Sequence, residues 1–368
     1  MELFSQNLQL NIPYPMEQLL YSQKTYKKED FLFFDIETTG LSADISSLYL
    51  IGCLYYKNGE FYMKQWFADS YDCEKEMIDA FFEEVREHKV LLHYNGNGFD
   101  IPYLEKKIAA LGLDYSFDLI DSIDLYKAIR PYKKILKLPN LKQKTMEEYL
   151  LLHREDEYSG KELINVYGDY MKKHFKREDN KKELSLLLLH NAEDLKGMVA
   201  LLKLCYYIDL FKKKHEIVDL SLDENILSAT LSIGYELDHT IKYNTEGLSI
   251  ETDGNLLYLH LLVFKGELKY FYPNYKDYYY LPAEDMAVHK SVAEYVDKAF
   301  REKAKKANCY SKKTGVFLPI DDALAKETNI SVFRNDIHDK QGFMEITPDW
   351  LRNTETIADY IHALLCNL

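Results

Sequence analysis

Cysteine is scarce and scattered: Cys53, Cys73, Cys205, Cys309 and Cys366 lie far apart, and no two form a C-x-x-C pair. That distribution supports neither a zinc ribbon nor a thioredoxin-type centre. An odd, dispersed set fits a reducing compartment in which thiols act as small apolar core residues. Long apolar runs are missing too. The leucine-rich stretch from Leu184 to Leu189 falls far short of the roughly 20 residues a membrane helix needs. The opening MELFSQNLQL lacks the basic start and apolar core of a secretory signal, so the expectation is a soluble cytoplasmic protein with no membrane partner. Positive charge is in deficit, with 46 Lys and Arg against 60 Asp and Glu and a net charge of −14. Such a chain does not coat nucleic acid by bulk charge, and any phosphate contact must come from a local basic patch.

What is present is an ordinary globular balance, 47% hydrophobic and 29% charged over 368 residues, enough for two domains of about 100–200 residues each. Residues 1–30 read as an irregular lead-in with Pro13 and Pro15. Phe31 to Phe34 form an apolar strand running into Asp35. Leu48 to Tyr56 and Glu60 to Phe67 alternate around Lys57-Asn58-Gly59, a hairpin signal. The spacing predicts helices over Glu74 to Glu87 and Asp100 to Leu111, strands over Val90 to His93 and Phe117 to Ile123, and mostly helix from Asp124 to Cys205. Strands interleaved with helices indicate an α/β layer fold. A charged stretch around Lys212 to Glu216 marks a boundary. Beyond it the pattern predicts short strands between Leu248 and Tyr280, turns at Asp253-Gly254-Asn255 and Lys265-Gly266, and a helix from about Ala283 to Ala307.

Three motifs carry chemistry. In F-D-I-E-T-T-G, Asp35 and Glu37 alternate with Phe34 and Ile36, so the two carboxylates share one face of an apolar strand. Side by side they repel, and desolvating them without a cation is costly. In H-Y-N-G-N-G-F-D-I-P-Y-L, a strand ends in a loop rich in Gly and Asn, and Asp100 opens a helix that tolerates Pro102 in its first turn. Asp100 alone reads equally as a helix cap, and His93 as a core residue. In H-N-A-E-D-L-K-G-M, His190 and Asp194 stand four apart and share a helix face, with Gly197 permitting close approach. Glu193 falls on another side. Asp121 and Asp124 are further carboxylates, the latter a cap for the next helix.

Taken in order, D-x-E, then D, then H-x-x-x-D resembles the DEDD exonucleases of the DnaQ-like branch of the ribonuclease H-like superfamily. The second motif is similar to the exonuclease motif of family B DNA polymerases. The stretches K-L-P-N-L-K-Q-K-T-M-E-E-Y-L and R-E-D-E-Y-S-G-K-E-L resemble the spacer of the bacterial YprB-type subgroup. The resemblance covers about residues 28–208. It implies a ribonuclease H-like mixed central sheet flanked by helices over residues 28–212; the lead-in of residues 1–27 and a smaller α+β accessory domain over residues 216–368 are read from the sequence pattern alone, the latter from its basic run and aromatic strands. It also implies two-metal hydrolysis of single-stranded DNA or RNA from the 3′ end, with two divalent cations, Mg²⁺ or Mn²⁺. Asp35 would bridge both ions, Glu37 and Asp194 would complete the site of the ion bearing the nucleophile, and Asp100 would hold the second. His190 would be the general base.

One departure concerns that base. Relatives with histidine usually carry it five residues before the last Asp, and those with four-residue spacing usually carry Tyr. One helical residue is a rotation of about 100°, so the direction of the His190 ring is left open. For substrate contacts, Lys133, Lys134, Lys137, Lys142 and Lys144 form an acid-free patch after Arg130, and Asn95, Phe99 and Tyr103 flank Asp100 as approach and stacking residues. A second basic run, Lys298 to Lys313, suggests a gripping helix in the C-terminal region. The alternative function is a catalytically weak or inactive module that keeps the fold and binds nucleic acid or a protein partner.

Overall fold

The computed structural model describes residues 1–19 and 24–368. The chain divides into two compact units, Met1–Leu210 and Phe211–Leu368.

The first unit is built on strands β1 (Glu2–Leu8), β2 (Phe31–Thr38), β3 (Leu48–Lys57), β4 (Glu60–Phe67), β5 (Val90–His93) and β6 (Asp121–Asp124), in the spatial order β1-β4-β3-β2-β5-β6. β2 pairs antiparallel with β3 and parallel with β5, and β5 pairs parallel with β6, so the sheet is mixed as expected. The apolar residues of β2 are buried along its length, which makes it a central strand. The β3–β4 hairpin turns through Asn58 and Gly59, both with positive φ (52° and 92°), the backbone that a two-residue hairpin loop demands. Helices α1 (Glu74–Val85), α2 (Asp100–Ala110), α3 (Leu125–Ile129), α4 (Gln143–Tyr149), α5 (Gly160–Lys176), α6 (Lys181–Leu201) and α7 (Leu204–Lys212) complete it.

Two expectations fail in this unit. The lead-in is not irregular throughout: β1 pairs antiparallel with β4 from Glu2–Phe67 to Leu8–Phe61 and forms the edge of the sheet. Its residues are mostly exposed or half-buried, so it lacks the apolar alternation of a core strand. The strand expected over Phe117 to Ile123 is confined to Asp121–Asp124. Asp118 instead turns back through its N–H to Ser116 Oγ, 3.1 Å away, and Phe117 is buried as a core side chain beside Phe34 and Phe82.

The second unit carries three further sheets. One holds β7 (Glu216–Asp223), β8 (Ile226–Ser232), β9 (Lys242–Asn244), β10 (Leu248–Asp253) and β11 (Leu256–Leu262) in the order β7-β8-β11-β10-β9. A closed barrel joins β12 (Phe264–Phe271) to later strands. β13 (Tyr278–Leu281) lies between β14 (Met286–His289) and β15 (Glu302–Lys303). After α8 (Lys290–Ala293), the barrel strands β16 (Tyr310–Ile320), β17 (Phe333–Arg334) and β18 (Gly342–Glu345) are joined by α9 (Asp322–Glu327), and α10 (Pro348–Arg352) and α11 (Thr354–Cys366) follow. The turn at Asp253-Gly254-Asn255 is present, with Gly254 at φ 56°. Lys265-Gly266 is not a turn; it lies within β12, where Gly266 pairs with Gly315.

The helix from Ala283 to Ala307 does not form. Asp297 accepts from the Ala299 N–H at 3.0 Å and starts a single 3₁₀ turn, and Glu302–Lys303 extend to pair with Tyr279 and Tyr280. The second basic run is therefore no gripping helix. Lys313 pairs with Glu345 at 2.7 Å, Lys312 pairs with Asp285, and the Arg301 guanidinium lies over the Tyr279 ring.

Candidate metal centre

The four carboxylates of the ordered motifs meet at the carboxyl ends of β2 and β5, the end at which open α/β sheets hold ligands. Asp35 and Glu37 come from the last turns of pleat in β2, whose pairing with β3 shifts register between Glu37 and Thr38. Asp100 arrives at the start of α2, and its Oδ1 accepts the Ile36 N–H at 3.2 Å, which ties it to the backbone of the residue between the two acids of the first motif. Asp194 comes from α6, which packs on β2 and β3.

The electrostatics bear the mark of crowding. Burial, then the charges of Glu37, Asp194 and Asp100, hold the Asp35 carboxyl well above its ordinary range. Burial, then Asp194 and Asp100, do the same to Glu37, opposed by the Tyr49 hydroxyl that donates to it at 3.4 Å. Asp100 is pushed up to about 7, chiefly by burial, although the Ile36 N–H pulls the other way. Arg154 is the only Lys or Arg among the described residues within ion-pair distance of the four, and it reaches Asp194 alone, at 2.7 Å. An oxygen-rich, mutually repelling, largely desolvated set is the donor chemistry that a hard divalent cation satisfies. One donor atom each of Glu37, His190 and Asp194 falls within 4.8 Å of the others.

His190 does point into this cluster despite its four-residue spacing. Its Nε2 stands 3.6 Å from Glu37 Oε1 and 3.4 Å from Asp194 Oδ2, while Nδ1 lies 2.6 Å from Asp156 Oδ2. Asp156 belongs to the strap between α4 and α5. Burial would raise its carboxyl, but Lys144, at 3.0 Å, and His190 outweigh that and hold it below the ordinary range. Arg154, on the same strap, also pairs with Glu147 of α4 at 2.9 Å. Gly197 makes that approach of α4 to α6 feasible, because a Cβ there would fall 2.1 Å from Glu147 Oε1.

Several residues around the site escaped the motif reading. Asn191, fully buried, donates to Asp35 Oδ2 at 2.9 Å and accepts from Gln65 of β4 at 2.9 Å. Its only signal was its place inside H-N-A-E-D. Asp156 and Arg154 lay within the quoted R-E-D-E-Y stretch, with nothing local to say where they fold. Glu193 stays out of the cluster and holds the strap, accepting the Asp156 N–H at 2.8 Å.

The expected substrate residues separate. Lys133, Lys134 and Lys137 are exposed, and Lys133 and Lys142 line a groove of about 520 Å³ with Tyr94, Asn95, Tyr126 and Gln143. Lys144 is committed to Asp156 and leaves the basic patch. Asn95 is exposed at φ 64°, its N–H donating to Asp124 Oδ1 at 2.9 Å. Asp124 caps α3 through the Tyr126 and Lys127 N–H groups, as expected. Asp121 instead pairs with Lys24 at 2.7 Å. Phe99 is half-buried, but Tyr103 is 3% exposed and hydrogen-bonded to Ser46 Oγ at 2.9 Å, so it is core and does not stack on bases. His93 is likewise core, paired with Ser122 Oγ at 2.8 Å and depressed by burial to about 4.

Residues 32–206 match a family model described as the RNase H superfamily. Comparison with curated proteins finds no match. Among solved structures, the family B DNA polymerase from the hyperthermophilic archaeon Pyrobaculum calidifontis aligns at 15% identity with a TM-score of 0.41, covering 67% of this chain and 35% of that one. The chain thus spans about a third of that polymerase's length. The family match and the mixed sheet together make the fold of residues 32–206 ribonuclease H-like. No helix among the described residues is long and apolar enough to cross a membrane.

Proposed function

We propose that this chain is a metal-dependent nuclease of the DEDD type, of the YprB-like subgroup, which removes nucleotides from the 3′ ends of single-stranded DNA or RNA. The observation that supports the reading is that Asp35, Glu37, Asp100 and Asp194 lie close enough to raise one another's carboxyls, with no Lys or Arg among the described residues within ion-pair distance of the first three.

Held by these carboxylates, two divalent cations would supply positive charge to the phosphate being transferred and to the oxygens entering and leaving. The remaining work falls to the protein. Asn191 and Tyr49 fix the Asp35 and Glu37 carboxylates by hydrogen bonds, and the Ile36 N–H fixes Asp100, so the negative cluster is pre-organised. The attacking water's oxygen bonds to phosphorus as the bond to the leaving sugar oxygen breaks. His190 Nε2 accepts the water's proton, and the leaving oxygen takes one from solvent. Exposed Lys133, Lys134 and Lys137 contact the strand's phosphates, with Asn95 and Phe99 near its terminal nucleotide.

End-labelled DNA and RNA oligonucleotides incubated with Mg²⁺ or Mn²⁺ test this. Progressive shortening by the wild type that Asp35→Ala abolishes is the expected result. Equal products from both proteins would be contamination and would remove the reading. Binding without cleavage in either metal would replace it with the inactive binding module.

A further inference from the structure

His190 occupies a helix position where ring direction is not given by the backbone pattern of related sites, yet the ring is held. Its Nδ1 lies 2.6 Å from Asp156 Oδ2, and both side chains are buried. A carboxylate only accepts hydrogen bonds, so Nδ1 carries a hydrogen toward Asp156, and Nε2 is the nitrogen left free of that contact. That nitrogen is the one facing Glu37 and Asp194, at 3.6 and 3.4 Å.

The carboxylate is itself anchored from several sides. Lys144 donates to Asp156 Oδ2 at 3.0 Å, the Tyr158 N–H donates to Oδ1 at 3.0 Å, and the Asp156 N–H is fixed on Glu193 at 2.8 Å. Arg154 Nη2 stands 3.5 Å from Oδ2. An anchored anion on the far side of an imidazole does two things: it selects one tautomer and direction, and it stabilises the imidazolium that forms when the opposite nitrogen takes a proton.

We propose that Asp156 is a positioning residue for this reaction, holding the His190 ring through Nδ1 so that Nε2 is aimed at the carboxylate cluster. The inference rests on the nuclease reading. It adds a fifth acid, supplied by the strap between α4 and α5, and it accounts for how a histidine at the four-residue spacing serves the site.

The experiment combines kinetics with a readout that needs no metal. In ¹⁵N-histidine-labelled, metal-free protein, NMR of the His190 ring should show a hydrogen-bonded Nδ1–H in the wild type and lose that signal in Asp156→Asn. Asp156→Asn should lower kcat by about 10²-fold or more, the range for losing an effective general base, with KM changed by less than about threefold and urea midpoints reporting that the fold survives. In a His190→Ala background, Asp156→Asn should cost nothing further, because residues that act as one unit are non-additive. Asp156→Glu should recover part of the loss. A wild-type His190 without a hydrogen-bonded Nδ1–H overturns the proposal, as does an independent, additive loss in the double variant, or an unaffected kcat in Asp156→Asn. If Asp156→Asn does not fold, the wild-type Nδ1–H signal and the Asp156→Glu rate still decide it. A wild type that shortens no strand overturns the nuclease reading and this inference together, whereas an active wild type with an indifferent Asp156→Asn overturns this inference alone.

Discussion

Gly52 lies directly across from Asp35 on the neighbouring strand, and a Cβ there would sit 2.0 Å from Asn191 Oδ1 and 2.7 Å from its Cγ. Asn191 has nowhere to retreat, since it is fully buried and joined to both Gln65 and Asp35. Gly52→Ala is therefore expected to cost about 1–3 kcal/mol, the usual range for overpacking a tight core, and to swing Asn191 off the Asp35 carboxylate. Urea unfolding should show the lost stability, and the oligonucleotide assay should show a fall in turnover beyond it. A variant that is as stable and active as the wild type would mean that Asn191 does not order the site. At this scale the reactive groups were legible and their supports were not. Asp35, Glu37, Asp100, His190 and Asp194 each sit in a motif whose spacing follows strand or helix geometry. Asn191, Gln65 and Asp156 acquire their roles only when α6, β4 and the strap come together, at sequence separations that no local pattern encodes.

Among the elements, those with strong periodicity or closed turn chemistry were readable: β2 to β5, α1 and α2 lie within a residue or two of their expected bounds. The failures share a cause. β1 has no apolar face of its own and exists because β4 offers an edge to pair with. The segment from Ala283 to Ala307 has helix-forming composition, but the Asp297 turn and the pairing of β15 with β13 outcompete it. The strap is bounded by an element that can be tested singly. Ser159 caps α5 in a reciprocal box, its side chain accepting the Glu162 N–H while Glu162 accepts the Ser159 N–H at 2.8 Å. Ser159→Ala should destabilise the unit by about 1 kcal/mol, as the loss of such a cap does. A thermal or urea midpoint indistinguishable from the wild type would show that α5 starts without it.

For the whole molecule, three strongly raised carboxyls lie where function is proposed, so stability and cation binding should be linked through pH. Asp35, Glu37 and Asp100 all have carboxyls raised in the folded state, Asp100 to about 7 against an ordinary 3.8. Between those limits the unfolded chain has released protons that the folded one still holds. Stability therefore falls as pH rises through that window and stays low above it. His93 tilts part of the same range the other way: with its folded value near 4 and its unfolded value near 6.5, it costs stability as pH falls between them. A divalent cation relieves only the carboxylate contribution, so the difference between cation-loaded and cation-free protein separates the two. All the carboxylates concerned lie in the unit Met1–Leu210, so its unfolding transition is the one to follow. Melting with Mg²⁺ and with a chelator should give a gap that widens from pH 5 to pH 8, because at pH 5 the cation must displace protons that at pH 8 have already left. A gap that is absent at both pH values, or that narrows as pH rises, would show that the acidic cluster does not bind the cation.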